Sequence, residues 1–237
     1  GLIISISAFL YTLSLFMFFG IEEKASIVKE KESIKNLLKN VFTYFKNNKN
    51  FSKSMAVLGF SMLSSIALPF YIVYAKTTFN ILDSTVGIFI IVQTLGKILG
   101  GLIYGIVGDR HGHHRSMLIY SISTTTAPII AIITGMFFAD YIIILYSLLY
   151  FLLGFFMNGW PIFFNYMIDS VAKEDRTLYA GLVNVVKIPA SLAPFAGGII
   201  VSFWGYYPMF YLALFFSLIG LFFAINLKDA RDKKELL

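Results

Sequence analysis

The sequence predicts an all-α polytopic membrane protein, and three observations carry that prediction. Hydrophobic residues make up 58% of the chain and charged residues 14%, whereas soluble domains hold roughly 45–50% and 25%. One core of this size could not hide the surplus apolar surface from water. The apolar residues are gathered into seven runs, each about the 20 residues that a helix needs to cross a hydrocarbon layer. The charges fall between the runs, mostly on one side.

The runs are 1–19, 53–75, 85–108, 116–138, 141–166, 178–203 and 207–227. Each is expected to be a helix, because in lipid the backbone must satisfy its own hydrogen bonds. A barrel would need short alternating strands, and these runs are too long and too evenly apolar for that. The first run begins without an initiator Met or a charged lead, which leads us to expect a longer protein with further segments upstream. Residues 20–52 form a polar, Lys-rich linker in which Ile27, Ile34, Leu37, Leu38, Val41 and Phe45 recur at helical spacing. That pattern reads either as an amphipathic surface helix or as a solvated linker helix. Residues 228–237 form a short charged tail.

Sixteen of the nineteen Lys and Arg lie on the side of the linker and the tail. Only Lys76 lies on the other side, and Lys97 and Lys187 lie within runs. Positive loops stay in the cytoplasm, so the linker and C-terminus are expected there, in the plasma (inner) membrane. The chain has no Cys, which excludes disulfides, a thiol nucleophile and Cys-ligated metal. No G-x-x-x-x-G-K loop, H-E-x-x-H or G-x-S-x-G is present, so neither direct ATP use nor these enzyme chemistries are expected. No cofactor or metal is expected, and nucleic acid is not an expected partner.

Between the third and fourth runs stands Gly105-Ile-Val-Gly-Asp109-Arg110-His-Gly112-His-His-Arg115, the pattern G-x-x-x-D-R-x-G-x-x-R. It resembles the loop signature of the major facilitator superfamily of secondary transporters. Ala172-Lys-Glu-Asp-Arg176, followed by Ala180-Gly181-Leu182, is similar to an acidic-then-Arg turn of the same superfamily. The resemblance implies a six-helix C-terminal bundle (53–227), preceded by the last helix of an N-terminal bundle (1–19) that is the expected partner. It also implies that Gly105, Asp109, Arg110, Gly112, Arg115 and Arg176 form a conformational latch. Asp109 should then lie near the start of the 178–203 helix or near Arg176. The sequence departs from the usual pattern at His111, His113 and His114, where basic residues are more common. Three close His without a partner cluster are expected to be turn residues rather than metal ligands.

Ionisable groups within a membrane helix are costly and usually face a cavity. Lys97 lies midway along its run, about 18 Å from either end, with Gln93 four residues earlier on the same face. Lys187 shares a face with Asn184 and Ser191, and Asn158, Asn165 and Asp169 share another. Ser61, Ser65 and Tyr71 form a weaker stripe. Gln93, Lys97, Asn158, Asn165, Asn184 and Lys187 are therefore the candidates for a substrate cavity. The runs 116–138 and 207–227 have no ionisable interior residue and are expected on the lipid-facing rim, which also matches the superfamily arrangement. Pro69, Pro161, Pro189 and Pro194 interrupt three of the cavity helices, and Gly96, Gly100, Gly101, Gly105 and Gly108 make a small-residue face.

The expected function is secondary active or facilitative transport of a small solute by alternating access. An anionic solute is favoured because both deep charges are basic. A transport-inactive receptor or scaffold and a membrane-embedded enzyme are the other readings.

Overall fold

A computed structural model describes residues 2–18, 48–171, 176 and 191–231. Every regular element among them is helical. The chain divides into two compact units, Gly1–Phe42 and Thr43–Leu237. In the first, α1 (Leu2–Phe18) carries no acidic residue in its first turn and no basic residue in its last. Its Thr12 hydroxyl donates to the Ala8 carbonyl at 2.9 Å, so that polar group is satisfied within the helix. The amphipathic pattern of the linker lies outside the described residues.

The second unit starts where Asn48 caps α2 (Lys49–Leu63), its side chain accepting from the Phe51 amide at 2.9 Å. This helix begins inside the segment that the sequence assigns to the linker. The run expected as one helix over 53–75 is two. A 3-10 turn at Ser64–Ala67 follows α2, and α3 (Phe70–Phe79) restarts after Pro69. Proline lacks the amide that would continue the ladder and crowds the preceding turn. α4 (Asp83–His111) and α5 (His113–Phe137) meet at Gly112, whose φ of 90° lies in the left-handed region; glycine takes this at no steric cost.

The 141–166 run also divides, into α6 (Ile142–Met157) and α7 (Gly159–Ser170), with the break at Asn158. The last elements are α8 (Ala193–Trp204), with Pro194 in its first turn, and α9 (Tyr206–Ile225). Five helical stretches are long and apolar enough to cross a membrane: Lys49–Phe79, Asp83–His111, His113–Phe137, Ala139–Ser170 and Tyr206–Ile225. Half of the 178–203 run lies outside the described residues, so α8 is only its final part.

α4 packs on α6, α5 on α6 and α9, and α9 on α2. Two apolar clusters stack along this bundle. One surrounds Tyr71, Tyr74, Phe89, Tyr146 and Phe210, and the other surrounds Phe51, Met117, Tyr120, Phe163 and Tyr166. Buried Ser61, Ser64, Ser121, Thr124, Thr125 and Ser217 fall between the clusters in α2, the 3-10 turn, α5 and α9. Thr125 donates both to Ser121 within α5 and to the Ser217 carbonyl of α9, at 2.8 and 3.3 Å. The hydroxyls of Ser64, Thr124, Thr125 and Ser217 can be buried at this depth because helix carbonyls accept from them.

One sequence expectation fails here. The 116–138 run is not on the rim. The central stretch of α5 is 67% buried, the highest share among the five membrane-length stretches, while α4 is only 17% buried. The absence of ionisable residues gives no measure of enclosure. The small and hydroxyl residues Ser116, Ser121, Ser123, Ala127 and Ala131 let α2, α4, α6, α7 and α9 close around α5.

Candidate functional site

The site is built on the crossing of α4 and α6. Gly96 and Gly100 of α4 face Phe151 and Phe155 of α6, where a side chain would strike the α6 backbone. Gly154 of α6 faces the Gln93 carbonyl and the Lys97 amide in the same way. Such small-residue contacts bring two helix backbones together where no hydrophobic drive separates protein from lipid. Lys97 therefore stands on a stretch of α4 whose backbone is held against α6, while its side chain lies on the exposed face.

Immediately after this crossing α6 stops. At the break, the Asn158 side-chain amide donates to the Lys97 backbone carbonyl. Asn158 thus ties the end of one helix to the middle of another. Thr94, Lys97, Ile98, Gly101, Leu102 and Asn158 line an open groove of about 550 Å³. A second, more enclosed cavity of about 150 Å³ runs from Gly101 and Asn158 past Asn165 to Asp109 and His113. The two meet at Gly101 and Asn158. Residues that the sequence assigns to a cavity and residues that it assigns to a latch line one continuous surface of α4 and α7.

Lys97, Asn158 and Asn165 thereby line these cavities, and Gln93 lines neither. Gln93 is half-buried and meets the groove only through the helix contact at Gly154. Asn184 and Lys187 lie outside the described residues. Among the described residues, no carboxylate comes within ion-pair distance of Lys97.

At the basic end the α4–α5 turn is held by neighbours on three sides. His113 Nδ1 lies 2.9 Å from Asp169 Oδ2 of α7. His114 Nδ1 lies 3.8 Å from Asp229 Oδ2, beyond α9. Arg231 reaches Asp229 with Nη2 at 2.9 Å and donates from Nη1 to the Asp109 carbonyl at 3.2 Å. The Arg231 guanidinium holds the Asp229 carboxyl below the usual carboxylate range, and His114 adds to the effect while burial opposes it. A helix end leaves carbonyls without intrahelical partners. Here Arg231 takes that of Asp109, and the Gly112 amide takes that of Gly108 at 3.0 Å. Ser116 donates to the Tyr104 carbonyl at 2.9 Å, closing the α4–α5 corner.

Arg176 does not meet Asp109. Its guanidinium donates to the Ile168 carbonyl at 3.1 Å, near the end of α7, where unpaired carbonyls attract a cation. The start of the 178–203 run lies outside the described residues. Of the remaining loop residues, Arg110 and Arg115 are exposed, Gly105 faces open space, and Gly112 is enclosed by Asp229, His114 and Arg231. Sequence reasoning missed Asp229 and Arg231 as parts of this end. The available signal was the alternation Leu227, Ala230 (both buried) with Lys228, Asp229 and Arg231 between and after them. That is a docked segment rather than a free charged tail.

The family model of the Major Facilitator Superfamily matches residues 54–236. The chain belongs to the major facilitator superfamily. Members are membrane transporters, so this is an integral membrane protein whose setting is lipid and whose work is to move small molecules. The match covers all of α2 except its first turn, then α3 to α9, and so includes both cavities and the basic-end turn. Two of its helices, α2–α3 and α6–α7, are broken at mid-length, a feature of transporters that build sites near the bilayer midplane.

Proposed function

We propose that this chain carries small solutes across the membrane by alternating access, with Lys97 at the solute site. The observation that carries the proposal is the Lys97 amine on an open groove, midway along a membrane-length helix, with no carboxylate partner among the described residues. A cation at that depth is costly unless water or an anion accompanies it. A solute bearing a carboxylate or another anionic group supplies the missing charge, and Asn158 and Asn165 offer hydrogen bonds beside it.

The uncovered face of α4 supports a second six-helix bundle of the same protein as the opposing wall, so that the groove closes between two bundles. The Gly105–Arg115 loop, with Arg176, then acts as a latch at the cytoplasmic side, which the excess of Lys and Arg at that end supports.

Uptake into proteoliposomes bearing the full-length protein tests this. Carboxylates should compete with the transported solute while organic cations do not. Lys97→Ala should lower transport at least tenfold, with folding retained. If cations compete, carboxylates do not, and Lys97→Ala transports normally, the solute site is elsewhere.

A further inference from the structure

The basic end holds a pair of groups that the transport reading leaves unused. His113 and His114 are consecutive at the start of α5, yet each meets a different carboxylate on a different part of the chain. We propose that His113 and His114 form a proton-binding clamp, in which charge on the imidazoles ties α5 to α7 through Asp169 and to the segment after α9 through Asp229. Imidazole is the side chain whose charge ordinarily changes between about pH 5 and 8. The ligand is therefore the proton of the aqueous phase at this end, and the clamp tightens as that phase acidifies.

Consecutive helix residues point about 100° apart, which is how one turn reaches two neighbours. Both imidazoles are largely enclosed: the side chains of His113 and His114 are 15% and 20% exposed. Solvent therefore screens the pairs only partly. The start of a helix opposes an imidazolium, but that end carries only about half a charge. A full carboxylate charge at 2.9 Å from His113 outweighs it.

The surrounding charges set which His dominates. On α4, Asp109 lines the same cavity as His113, while Arg110 is exposed. Beyond α7, Arg176 is engaged by the Ile168 carbonyl, one residue from Asp169. On α2, Lys53 donates to the Asn226 carbonyl and Lys49 stands at the helix start. On the side of His114, Arg231 already occupies Asp229, and Lys228 neighbours it in sequence. His111 and Arg115 flank the pair and are exposed. His113 is thus the stronger half of the clamp, because its carboxylate is shared with no Arg or Lys among the described residues. Losing the proton removes the opposite charge and leaves a neutral N–H facing the Asp169 carboxylate, so the ion pair is lost and a weaker hydrogen bond remains.

The chain has only three His, so isotopic labelling of histidine in nanodiscs gives three resolvable imidazoles. We expect the His113 Nδ1 resonance to move in Asp169→Asn, which removes the carboxylate that it faces at 2.9 Å. Hydrogen exchange supplies the second readout. After correction for intrinsic rates, protection of amides 167–171 and 227–231 should fall about tenfold from pH 6 to pH 8. It should be flat across that range in the His113→Gln/His114→Gln double variant. His113→Lys, which keeps a permanent cation, should hold high protection at 167–171 throughout and guards against a variant that merely loosens the fold. An unmoved His113 Nδ1 resonance in Asp169→Asn, or the same tenfold fall in the double variant, overturns the clamp. Neither readout depends on solute or flux, so failure here is distinct from failure of the transport reading.

Discussion

Gly154 of α6 lies so close to Lys97 of α4 that an added methyl would stand 2.5 Å from the Lys97 backbone nitrogen. The obstacle is backbone, which cannot rotate away. Gly154→Ala should therefore push α4 from α6 and cost about 1–3 kcal/mol, the range for overpacking. Gly105→Ala, facing open space, should leave stability within about 0.5 kcal/mol. Thermal unfolding in detergent separates the two, and equal losses would contradict the crossing.

Asn158 should act as the joint between α4 and the α6–α7 break. Asn158→Leu removes the donor to the Lys97 carbonyl and should cost about 0.5–1.5 kcal/mol. It should also lower solute affinity, because the groove and the inner cavity meet at this side chain. Solute titration alongside unfolding would show whether both effects occur. A change in stability alone would make Asn158 purely structural.

Gly112 should resist substitution for two reasons. Its φ of 90° strains any L side chain, and Asp229, His114 and Arg231 leave no space for one. Gly112→Ala should cost about 1–2 kcal/mol from the backbone alone and release the 227–231 segment to protease. Full protection of that segment in the variant would count against its docking on the turn.

The Asp229 carboxylate gives the docked segment an acid limit. Its folded state favours ionisation through Arg231, so the contribution to stability is present above the unfolded value of about 3.9. It is lost as pH falls through the lower folded value. Docking should thus persist at pH 5 and fail only in stronger acid. Arg231→Gln should move that failure to higher pH. Amide exchange of Ala230 against pH measures it, and an acid limit that does not move on Arg231→Gln would refute the assignment.

Much of the fold was legible because lipid imposes it. The bounds of α4, α5 and α9 fall within three residues of the apolar runs 85–108, 116–138 and 207–227. The breaks were harder to read because hydropathy stays high through them. Their cue is turn chemistry instead: Ser64-Ser65 before Pro69, and Asn158-Gly159 before Pro161. The stripe of Asn158 and Asn165 was legible from spacing. That Asn158 would bind the Lys97 backbone was not, nor was the pairing of His113 with Asp169. These partners stand 61 and 56 residues apart, and only helix packing brings them together. The enclosure of α5 was missed because polarity had been read from charge alone, although Ser and Thr mark it.

The interruption at Ser64–Ala67 and Pro69 divides one crossing into two short levers. An unbroken rod would transmit tilt, so closing at one membrane face would open the other in fixed proportion. With a break at mid-depth, α2 and α3 each seat separately on α9, α3 through Tyr71 and Tyr74 against Phe210. The α6–α7 break is a second joint, held at Asn158 by the Lys97 carbonyl. Under the alternating access proposed above, a carrier jointed in this way reaches a state with solute sealed from either side by local bending rather than by tilting a whole helix.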